Sequence, residues 1–425
     1  MTSFATHFSL LTIALLSFSC LSANQNLRPF VLPIGKDPTT NLFYTSVGVG
    51  TPRHNFNVAI DLGGSLLWYD CDNHYNSSSY RPVPCNSKIC PNDAGCSGCI
   101  DSPIKAGCTN DTCGANIINP LVEAIFHGDT GEDVLFISNT ILSGLLSGCT
   151  NSDVFSVDEL LKGFPKTIKG ILGLARTQFA LPSQLSLSHH LPRKFSLCLP
   201  SSNKKGLGSL FLGGEPNSQS SSKILLQTTR LIVNPVSTAL IYSKWDASYE
   251  YFIAVKSIKV GGEVLSFKPS LLSIDKKGYG GTKISTTKPF TVLHSSIYKP
   301  LVRGFVKKAA DRKIKQVGAV APFGACFDLS TIGRTGTGLD VPTIDLVLQE
   351  ENVEWKIYGG NSMVLVKKNV ACLGFVDGGK EAMTSVVIGG SQLQDNLLVF
   401  DLDSSKLSFS SSLLLHQARC SHFTA

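Results

Sequence analysis

The sequence predicts an all-β protein built as two lobes. The chain has 425 residues, which is enough for two lobes that each bury a hydrophobic core. Hydrophobic residues make up 43% of the chain and charged residues 16%, a balance typical of a globular protein and not of a disordered one. The 38 glycines and the recurring runs of Ser, Thr and Val favour many short strands joined by turns.

The first 23 residues have the pattern of a secretory signal peptide. They contain no Asp, Glu, Lys or Arg, and their apolar run from Phe8 to Leu21 ends in the small residues Ser22 and Ala23. The run is too short to span a bilayer, and no later apolar run is long enough for a transmembrane helix. We therefore expect a secreted, extracellular protein with no membrane contact, whose mature chain begins near Asn24.

The cysteines predict a chain cross-linked by disulfides. One of the 13 cysteines, Cys20, lies in the signal peptide, and the remaining even set predicts up to six disulfides in a secreted chain. These cysteines are Cys71, Cys85, Cys90, Cys96, Cys99, Cys108, Cys113, Cys149, Cys198, Cys326, Cys372 and Cys420. The spacing of Cys96 and Cys99 also occurs in zinc knuckles, but an oxidising secretory route favours disulfides, so we predict no metal site.

Two sequons and the net charge describe the predicted surface. Asn76-Ser-Ser and Asn110-Asp-Thr are N-glycosylation sequons in the cysteine-rich segment, so we expect both asparagines to lie on exposed loops. The net charge of +7 is too mild and too dispersed to indicate a nucleic-acid partner. It fits a secreted protein that meets acidic surfaces or acidic partners.

One half-pattern occurs twice along the chain. In the first half, the loop Asp61-Leu62-Gly63-Gly64-Ser65 follows the alternating run Phe56–Ile60 and precedes the apolar element Ile171–Gly173 by about a hundred residues. In the second half, the loop Ile284–Thr287 precedes Val387–Gly389 in the same way. This pairing resembles the one found in each lobe of pepsin-like aspartic proteases, and the resemblance covers essentially the whole mature chain. It implies a bilobal pepsin-like aspartic protease fold.

Smaller elements agree with this organisation. The alternating run Phe43–Val49 predicts a strand, and Leu181–Leu185 predicts the start of a helix. Ser296 is a candidate N-cap for another helix, in which Ile297, Leu301 and Phe305 recur at every fourth position and line one face. Residues 201–222, rich in Ser, Gly, Lys and Asn, predict an exposed loop. The lobe boundary should follow this loop, which gives lobes at residues 24–228 and 229–425.

The two loops differ from those of an active aspartic protease. Such an enzyme needs two carboxylates that share a proton across an attacking water, one acting as base and the other as acid. The first loop keeps Asp61, but the second has Ser285 at the expected carboxylate position. Leu62 and Gly64 replace the hydroxyl residues that brace the first loop and bond its carboxylate. We therefore predict that Asp61 and Ser285 are vestigial, and that the chain is not an enzyme and uses no cofactor.

Residual proteolysis is the least favoured alternative. A flap tyrosine is expected near residues 122–131, and that segment contains none. Catalysis through Asp61 would need a borrowed acid, such as Asp129 or Asp275, and nothing in the sequence places either one opposite Asp61. No Gly-x-Ser-x-Gly, His-Glu-x-x-His or Walker motif points to another chemistry.

The second half of the chain is similar to a plant group with this fold. The group includes the basic 7S globulins, the extracellular dermal glycoprotein, the xyloglucan-specific endoglucanase inhibitors and the wheat-type xylanase inhibitors. The shared motifs are Thr282–Thr286, Pro289–Leu293, Ser296–Tyr298, Cys326-Phe327, Val341–Val347, Trp355, Asn361–Val364, Cys372–Phe375 and Ile388–Gly390. The resemblance implies an apoplastic defence protein that binds microbial cell-wall glycoside hydrolases and blocks their clefts. It also implies the disulfides Cys198–Cys420 and Cys326–Cys372.

Three side chains match the residues that enter the target's cleft in these relatives. In the endoglucanase inhibitors, the resemblance assigns this role to an arginine matched by Arg334 and to a second one near the final cysteine. Arg419 is the candidate for the second, although it lies closer to that cysteine than in the family pattern. In the xylanase inhibitors a histidine four residues before the final cysteine has the role, and His416 has that spacing. A guanidinium meets the two carboxylates of a glycoside hydrolase with charge-assisted hydrogen bonds. We rank endoglucanase inhibition first and xylanase inhibition second.

Two further interpretations stay open. The likeness to 7S globulins allows a storage protein, or a protein that binds a small disulfide-rich peptide. The basic stretch formed by Lys307, Lys308, Arg312, Lys313 and Lys315 is interpreted as a solvated helix end, with weak contact to a polyanion such as pectin as its functional alternative.

Overall fold

Strands dominate the structure, as the all-β prediction requires. The computed structural model describes residues 28–71, 75–90, 95–99, 104–150, 157–202, 207–216, 224–239 and 246–423. Helices in these segments are few and mostly short, so the predicted fold class is confirmed. The predicted signal peptide, residues 1–23, lies outside the described residues.

Short strands occur along the whole described chain, with a few helices between them. The strands up to residue 212 are Phe30–Lys36, Phe43–Val49, His54–Asp61, Leu67–Asp70, Arg81–Pro82, Cys96–Ser97, Thr112–Asn119, Ala124–Ile137, Thr140–Thr150, Ile168–Gly173, Lys194–Cys198 and Gly208–Leu212. The later strands are Gln227–Ile232, Phe252–Ile253, Val255–Val260, Glu263–Val264, Thr282–Ile284, Thr291–Leu293, Gln316–Val317, Cys326–Asp328, Arg334–Thr335, Gly338–Leu339, Ile344–Leu348, Glu354–Ile357, Met363–Lys367, Val370–Leu373, Phe375–Asp377, Val386–Ile388, Leu397–Asp401 and Lys406–Phe409. The α-helices are Val157–Leu160, Leu181–His189, Ser295–Asp311, Gly359–Ser362 and Gly390–Leu393. The 3-10 helices are Pro269–Leu271, Leu329–Thr331, Leu413–His416 and Cys420–His422.

One antiparallel sheet joins the two lobes. Its strands, in spatial order, are Phe30–Lys36, Gly208–Leu212, Lys194–Cys198, Leu397–Asp401, Lys406–Phe409 and Gln227–Ile232. At the junction between the lobes, the rings of Phe195 and Phe400 stack with 4.7 Å between their centroids. Because backbone hydrogen bonds cross from one lobe to the other, this sheet fixes how the lobes face each other. The lobe boundary predicted at residues 228 and 229 falls within the last strand of the sheet.

The repeated half-pattern of the sequence appears as the same three strands in each lobe. In the first lobe, Ile168–Gly173 lies parallel to His54–Asp61 and antiparallel to Leu67–Asp70. In the second lobe, Val386–Ile388 lies parallel to Thr282–Ile284 and antiparallel to Thr291–Leu293. The two loops therefore leave equivalent strands, as the bilobal pepsin-like fold requires.

Six disulfides cross-link the described chain. They are Cys71–Cys149, Cys85–Cys96, Cys90–Cys113, Cys99–Cys108, Cys198–Cys420 and Cys326–Cys372. The last two are the pairs that the family resemblance implied, and Cys198–Cys420 connects the first lobe to the C-terminal segment. Cys96 and Cys99, which have the spacing of a zinc knuckle, are each bonded to a different cysteine.

The structure confirms the helix that begins at Leu181 and corrects the cap of the longer helix. That helix runs from Ser295 to Asp311, and its N-cap is His294, whose Nδ1 accepts the Ser296 N–H at 3.1 Å. Ser296 therefore lies inside the first turn and donates to the cap. The predicted apolar face is correct, because Ile297, Leu301 and Phe305 are all buried.

The prediction of an exposed loop over residues 201–222 was wrong. The strand Gly208–Leu212 lies within it and pairs on both sides in the sheet that joins the lobes. Leu210 and Leu212 are fully buried. The polar composition of the flanking residues hid a short apolar run, since the strand has only five residues. Residues 203–206 and 217–223 lie outside the described segments.

Candidate functional site

A cleft between the lobes contains both loops of the repeated half-pattern. Its volume is about 510 Å³, and residues from both lobes line it. Asp61 and Ser285 are among them, so the structure brings together the two positions that the sequence singled out. The cleft is therefore the counterpart of a protease active site, and its side chains decide what chemistry it supports.

Asp61 and Ser285 occupy equivalent places in the two lobes. Asp61 ends the strand His54–Asp61, and Ser285 follows the strand Thr282–Ile284. The Asp61 carboxylate accepts the Gly63 N–H at 2.8 Å, whereas Ser285 Oγ lies 3.2 Å from Thr287 Oγ1. A serine hydroxyl does not titrate near neutral pH, so this pair cannot divide the roles of acid and base as two carboxylates do.

A hydroxyl group of the second loop bonds to the first loop, but the first loop has no equivalent hydroxyl group. Thr286 Oγ1 donates to the Ile60 carbonyl at 2.6 Å and accepts the Leu62 N–H at 3.2 Å. Leu62 is fully buried, but it has no hydroxyl that could return equivalent bonds to the second loop. The Thr286 hydroxyl therefore links the two loops from one side only.

Gly64 is required by close packing of the backbone. A Cβ at Gly64 would lie 2.9 Å from the Gly173 Cα, and a Cβ at Gly173 would lie 2.5 Å from the Gly64 carbonyl oxygen. The two glycines meet where the strand Ile168–Gly173 passes beneath the first loop. The crossing segments therefore need residues without a Cβ at these two positions.

A hairpin made by Thr112–Asn119 and Ala124–Ile137 contributes to the cleft. Its residues Asn116, Ile118, Pro120 and Glu123 line the cavity. Glu123 Oε1 lies 3.8 Å from Lys288 Nζ, so the hairpin contacts the second lobe. Asn116, Ile118 and Pro120 thus lie before the predicted window of 122–131, and Glu123 lies within it. No tyrosine occurs between residues 112 and 131, so the corrected position also lacks one.

The cleft contains a buried ion pair that sequence analysis did not identify. Lys283 Nζ lies 2.8 Å from Glu250 Oε1, and the two side chains are only 16% and 13% exposed. One signal for Lys283 was present, since it is a charged residue in an otherwise buried strand directly before Ser285. The sequence did not indicate Glu250 as a cleft residue, because it lies 33 residues from Lys283 and comes close to it only when the chain folds.

Burial raises the pKa of the Asp61 carboxyl group. The side chain is 7% exposed, and removal from water is the largest cause of the shift. The hydrogen bond from the Gly63 N–H lowers the pKa, the charge of Glu250 raises it, and the charges of Lys283 and Lys288 lower it. The pKa of Asp61 becomes about 6, compared with an ordinary value of 3.8. The carboxyl group therefore changes its charge under mildly acidic conditions.

Replacing Asp61 with asparagine is expected to stabilise the fold at neutral pH. Because the folded-state pKa is raised, the stabilising contribution of the protonated acid is complete below the ordinary value of 3.8 and is lost as the pH rises through about 6. Asparagine carries no charge to desolvate, and its carbonyl oxygen can still accept the Gly63 N–H. We expect Asp61→Asn to raise the free energy of unfolding by about 2–3 kcal/mol at roughly pH 7.5, and by almost nothing at roughly pH 3.5.

Urea titrations of the parent and the variant at both pH values measure this effect. Asp403→Asn is the matched control, because it makes the same substitution at an exposed residue that does not line the cleft. Equal stability of Asp61→Asn and the parent at neutral pH would show that Asp61 is better solvated than the structure indicates.

Neither alternative acid lies in the cleft. Asp129 is buried beneath the cysteine-rich segment, where its carboxylate accepts hydrogen bonds from Ser97 Oγ and from the Thr109 N–H. Asp275 lies in an exposed turn and accepts the Lys277 and Tyr279 N–H groups at 2.8 and 2.9 Å. Both acids therefore stabilise local structure and do not face Asp61.

Arg334 lies on a small, well-supported hairpin. Arg334–Thr335 pairs with Gly338–Leu339, and the Arg334 side chain is exposed with no hydrogen-bond or ion-pair partner among the described residues. The hairpin packs on the helix Gly359–Ser362, where the Gly360 N–H donates to the Thr337 carbonyl at 2.8 Å. A Cβ at Gly359 would lie 1.9 Å from the Leu339 carbonyl oxygen, so only glycine permits this contact. The guanidinium is therefore displayed on a fixed support.

The C-terminal segment with His416 and Arg419 neighbours this hairpin. Both segments contact Gly360. If Gly360 carried a Cβ, that atom would lie 2.9 Å from the Thr337 carbonyl oxygen of the hairpin and 3.6 Å from the side chain of Leu414, in the 3-10 helix Leu413–His416. His416 is exposed at the end of that helix. The structure thus places the two predicted inhibitory segments side by side.

Arg419 is partly held by a buried carboxylate. Its guanidinium lies 4.0 Å from Asp395 Oδ2, and its side chain remains 57% exposed. Asp395 is buried, and its other oxygen accepts the Cys420 N–H at 3.1 Å. Asp395 and the Cys198–Cys420 disulfide therefore anchor the segment from which Arg419 reaches solvent.

The remaining predicted surface residues lie on the outside of the fold. Asn76 and Asn110 are both exposed, so each sequon is accessible, and glycosylation stays a prediction. At the basic helix end, Lys308 pairs with Glu263 at 2.9 Å and Arg312 with Asp340 at 3.0 Å. These pairs partly neutralise the patch, which agrees with a solvated helix end.

The described residues contain no group of three or more His, Cys, Asp or Glu side chains placed to hold a metal ion. In the same residues, no helix is both long and apolar enough to cross a membrane.

Comparison with known proteins identifies the family. Residues 43–214 match the family described as xylanase inhibitor N-terminal, and residues 250–411 match the one described as xylanase inhibitor C-terminal. A protein named probable aspartic proteinase GIP2, from Nicotiana benthamiana, is 43% identical over 429 residues, covering 97% of this chain and 96% of that protein.

Two solved structures share the whole architecture. The crystal structure of edgp superposes with a TM-score of 0.87 at 40% identity, covering 93% of this chain and 98% of that one. The crystal structure of basic 7S globulin from soybean superposes with a TM-score of 0.78 at 30% identity, covering 93% of this chain and all of that one (100%). The chain therefore belongs to the xylanase-inhibitor family of aspartic-proteinase-like proteins.

Proposed function

We propose that this protein is a secreted, proteolytically inactive relative of aspartic proteases that inhibits microbial cell-wall glycoside hydrolases. The observation that carries the proposal is the exposed Arg334 side chain, which has no partner among the described residues and lies on a hairpin supported by glycine contacts. Such a cation can enter an open cleft and form bidentate hydrogen bonds with one of the two carboxylates there. The description of the family as xylanase inhibitors supports a glycoside hydrolase as the partner.

The interlobe cleft supports the part of the proposal that describes the protein as proteolytically inactive. Ser285 stands at the place of a second carboxylate opposite Asp61, and Glu250, an acid in the same cleft, is bound by Lys283. An aspartic-protease reaction needs a proton shared between two carboxylates across one water. The proposal therefore assigns no catalytic residue in this chain.

Xyloglucan-specific endo-β-glucanase is the first candidate target. Arg334 and Arg419, which correspond to the arginines of the endoglucanase inhibitors, lie on neighbouring segments and are both exposed. A xylanase is the second candidate, because His416 is exposed and lies four residues before Cys420. These side chains define one surface, formed by the hairpin and the C-terminal segment.

The alternative is a role in storage or peptide binding, which is a different class of function from enzyme inhibition. The similarity to basic 7S globulin from soybean supports it, and a small disulfide-rich peptide would be the ligand. This alternative makes no use of the exposed arginines, so an inhibition assay separates it from the first proposal.

The direct test is a titration of two hydrolases. The oxidised, glycosylated protein is added to a xyloglucan-specific endoglucanase and to a xylanase, with a casein digest at acid pH alongside. Stoichiometric inhibition of either enzyme supports the proposal and selects the target. No inhibition of either enzyme refutes it in favour of a storage or peptide-binding globulin, and casein cleavage that Asp61→Asn abolishes would show a protease.

A further inference from the structure

We propose that the interlobe cleft binds a small organic cation, an ammonium group carried on an apolar body, with Asp61 and Glu250 facing the charge. This inference concerns a different surface from the proposed inhibitory segments. It uses the space that a protease would use for its substrate, but it requires no reaction.

The first support is an incompletely bonded buried carboxylate. Asp61 lines the cavity and is 7% exposed, and its only hydrogen bond from the described residues is the one from the Gly63 N–H to Oδ1. The other oxygen has no protein donor in that part of the chain. A carboxylate oxygen that lines a cavity without a protein donor can accept from a ligand, and a bound cation with N–H groups would supply both charge and hydrogen bonds.

The second support is the position of Glu250. If Gly63 carried a Cβ, that atom would lie 3.2 Å from Glu250 Oε1 and 3.4 Å from Asp61 Oδ1. Both carboxylates therefore lie close to Gly63, and both line the same cavity. Two neighbouring carboxylates at one cavity wall can accept from a donor that carries several N–H groups, as an ammonium does.

The charges around the cavity match a single positive charge. The side chains that line it include three carboxylates, of Asp61, Glu250 and Glu123, and two lysines, Lys283 and Lys288. Lys283 pairs with Glu250 at 2.8 Å and Lys288 with Glu123 at 3.8 Å, so Asp61 is the acid without its own counter-ion among the described residues that line the cavity. One monovalent cation would neutralise the charges of these described side chains, whereas an anion would add to their excess of negative charge.

The walls of the cavity determine the size and polarity of the rest of the ligand. Leu66, Trp68, Ile171, Met383 and Val387 line it, and its volume of about 510 Å³ accommodates an alkyl chain of several carbons. Apolar walls with a few convergent polar groups favour a ligand that has an apolar body and one polar end. A protonated primary amine on a short alkyl chain has this form.

The site should respond to pH through Asp61. The charged groups that face it are Glu250, Lys283 and Lys288, with Glu123 on the hairpin above. Because burial raises the pKa of Asp61 to about 6, the carboxylate is charged above that pH and neutral well below it. Cation binding should therefore weaken as the pH falls through this value.

The test uses n-hexylammonium chloride as the probe and 1-hexanol as its neutral counterpart, both titrated calorimetrically into the full-length oxidised protein. At roughly pH 7.5 we expect saturable binding of the ammonium at least about tenfold tighter than that of the alcohol, and at roughly pH 4.5 we expect this preference to be lost. Asp61→Asn should lose the preference at both pH values while remaining folded, and Asp403→Asn should keep it.

Three results would overturn the inference. They are equal binding of the ammonium and the alcohol, no saturable binding of the ammonium at neutral pH, and an undiminished preference in Asp61→Asn. The outcome is independent of hydrolase inhibition, because the variants leave Arg334, His416 and Arg419 unchanged. A parent that inhibits a hydrolase but does not bind the ammonium would refute this inference alone.

Discussion

Replacing Arg334 with alanine is expected to weaken inhibition of a xyloglucan-specific endoglucanase by about a hundredfold. A guanidinium buried against catalytic carboxylates is the kind of contact whose truncation costs about 2–4 kcal/mol of binding free energy. The fold should be unaffected, since Arg334 is exposed and has no partner among the described residues. Inhibition constants for the parent and the variant, with melting temperatures for both, measure the two effects.

Arg303→Ala is the matched control for this substitution. Arg303 is also an exposed arginine of the second lobe, but it lies on the helix Ser295–Asp311 and not on the proposed inhibitory surface. It should inhibit as the parent does. Arg419→Ala should have a smaller effect than Arg334→Ala, because Asp395 already neutralises part of the charge of Arg419. If Arg334→Ala and Arg419→Ala both inhibit as well as the parent, the arginine mechanism is wrong.

The double replacement of Cys198 and Cys420 with serine is expected to give the largest loss of stability. The disulfide closes a loop with a sequence separation of 222 residues and ties the C-terminal segment to the sheet that joins the lobes. In the chain-entropy account, a bridge over a loop of this length stabilises the native state by about 5 kcal/mol. Guanidinium unfolding under non-reducing conditions measures the change in the midpoint.

A second disulfide provides the comparison. Cys99–Cys108 has a sequence separation of only 9 residues, so its removal should cost about 3 kcal/mol or less in the same account. Equal losses for the two double variants would show that loop length does not set the contribution of the long bridge. The long-bridge variant should also lose inhibition that depends on His416 or Arg419, because their segment loses its covalent anchor.

The main features of the fold were predictable because they are written in local patterns. The alternation of residues in Phe43–Val49 predicts a strand from neighbouring residues alone. The two apolar elements that end in glycine are likewise recognised from the order of adjacent residues. The replacement of the second carboxylate by Ser285 is likewise a matter of residue identity, once the repeat fixes which position is meant. By contrast, the buried strand Gly208–Leu212 was missed, since a strand of five residues among polar neighbours is recognised only by its partners on both sides.

The candidate sites show the same division. The sequence indicated Arg334, His416 and Arg419 through family resemblance, but it did not show that the hairpin and the C-terminal segment meet at Gly360. It also gave no indication that Asp395 holds Arg419, because 24 residues separate the two and the contact depends on a buried turn.

By itself, the sequence determined the all-β class, the repeated loops, the cysteines available for disulfides and the serine in the second loop. Each of these follows from the identity and spacing of residues along the chain. Only the tertiary structure decided that Glu250 and Lys283 form an ion pair beside Asp61, and that the pKa of Asp61 is raised. Burial and charge proximity are properties of space, and residues far apart in the sequence acquire them only when the chain folds.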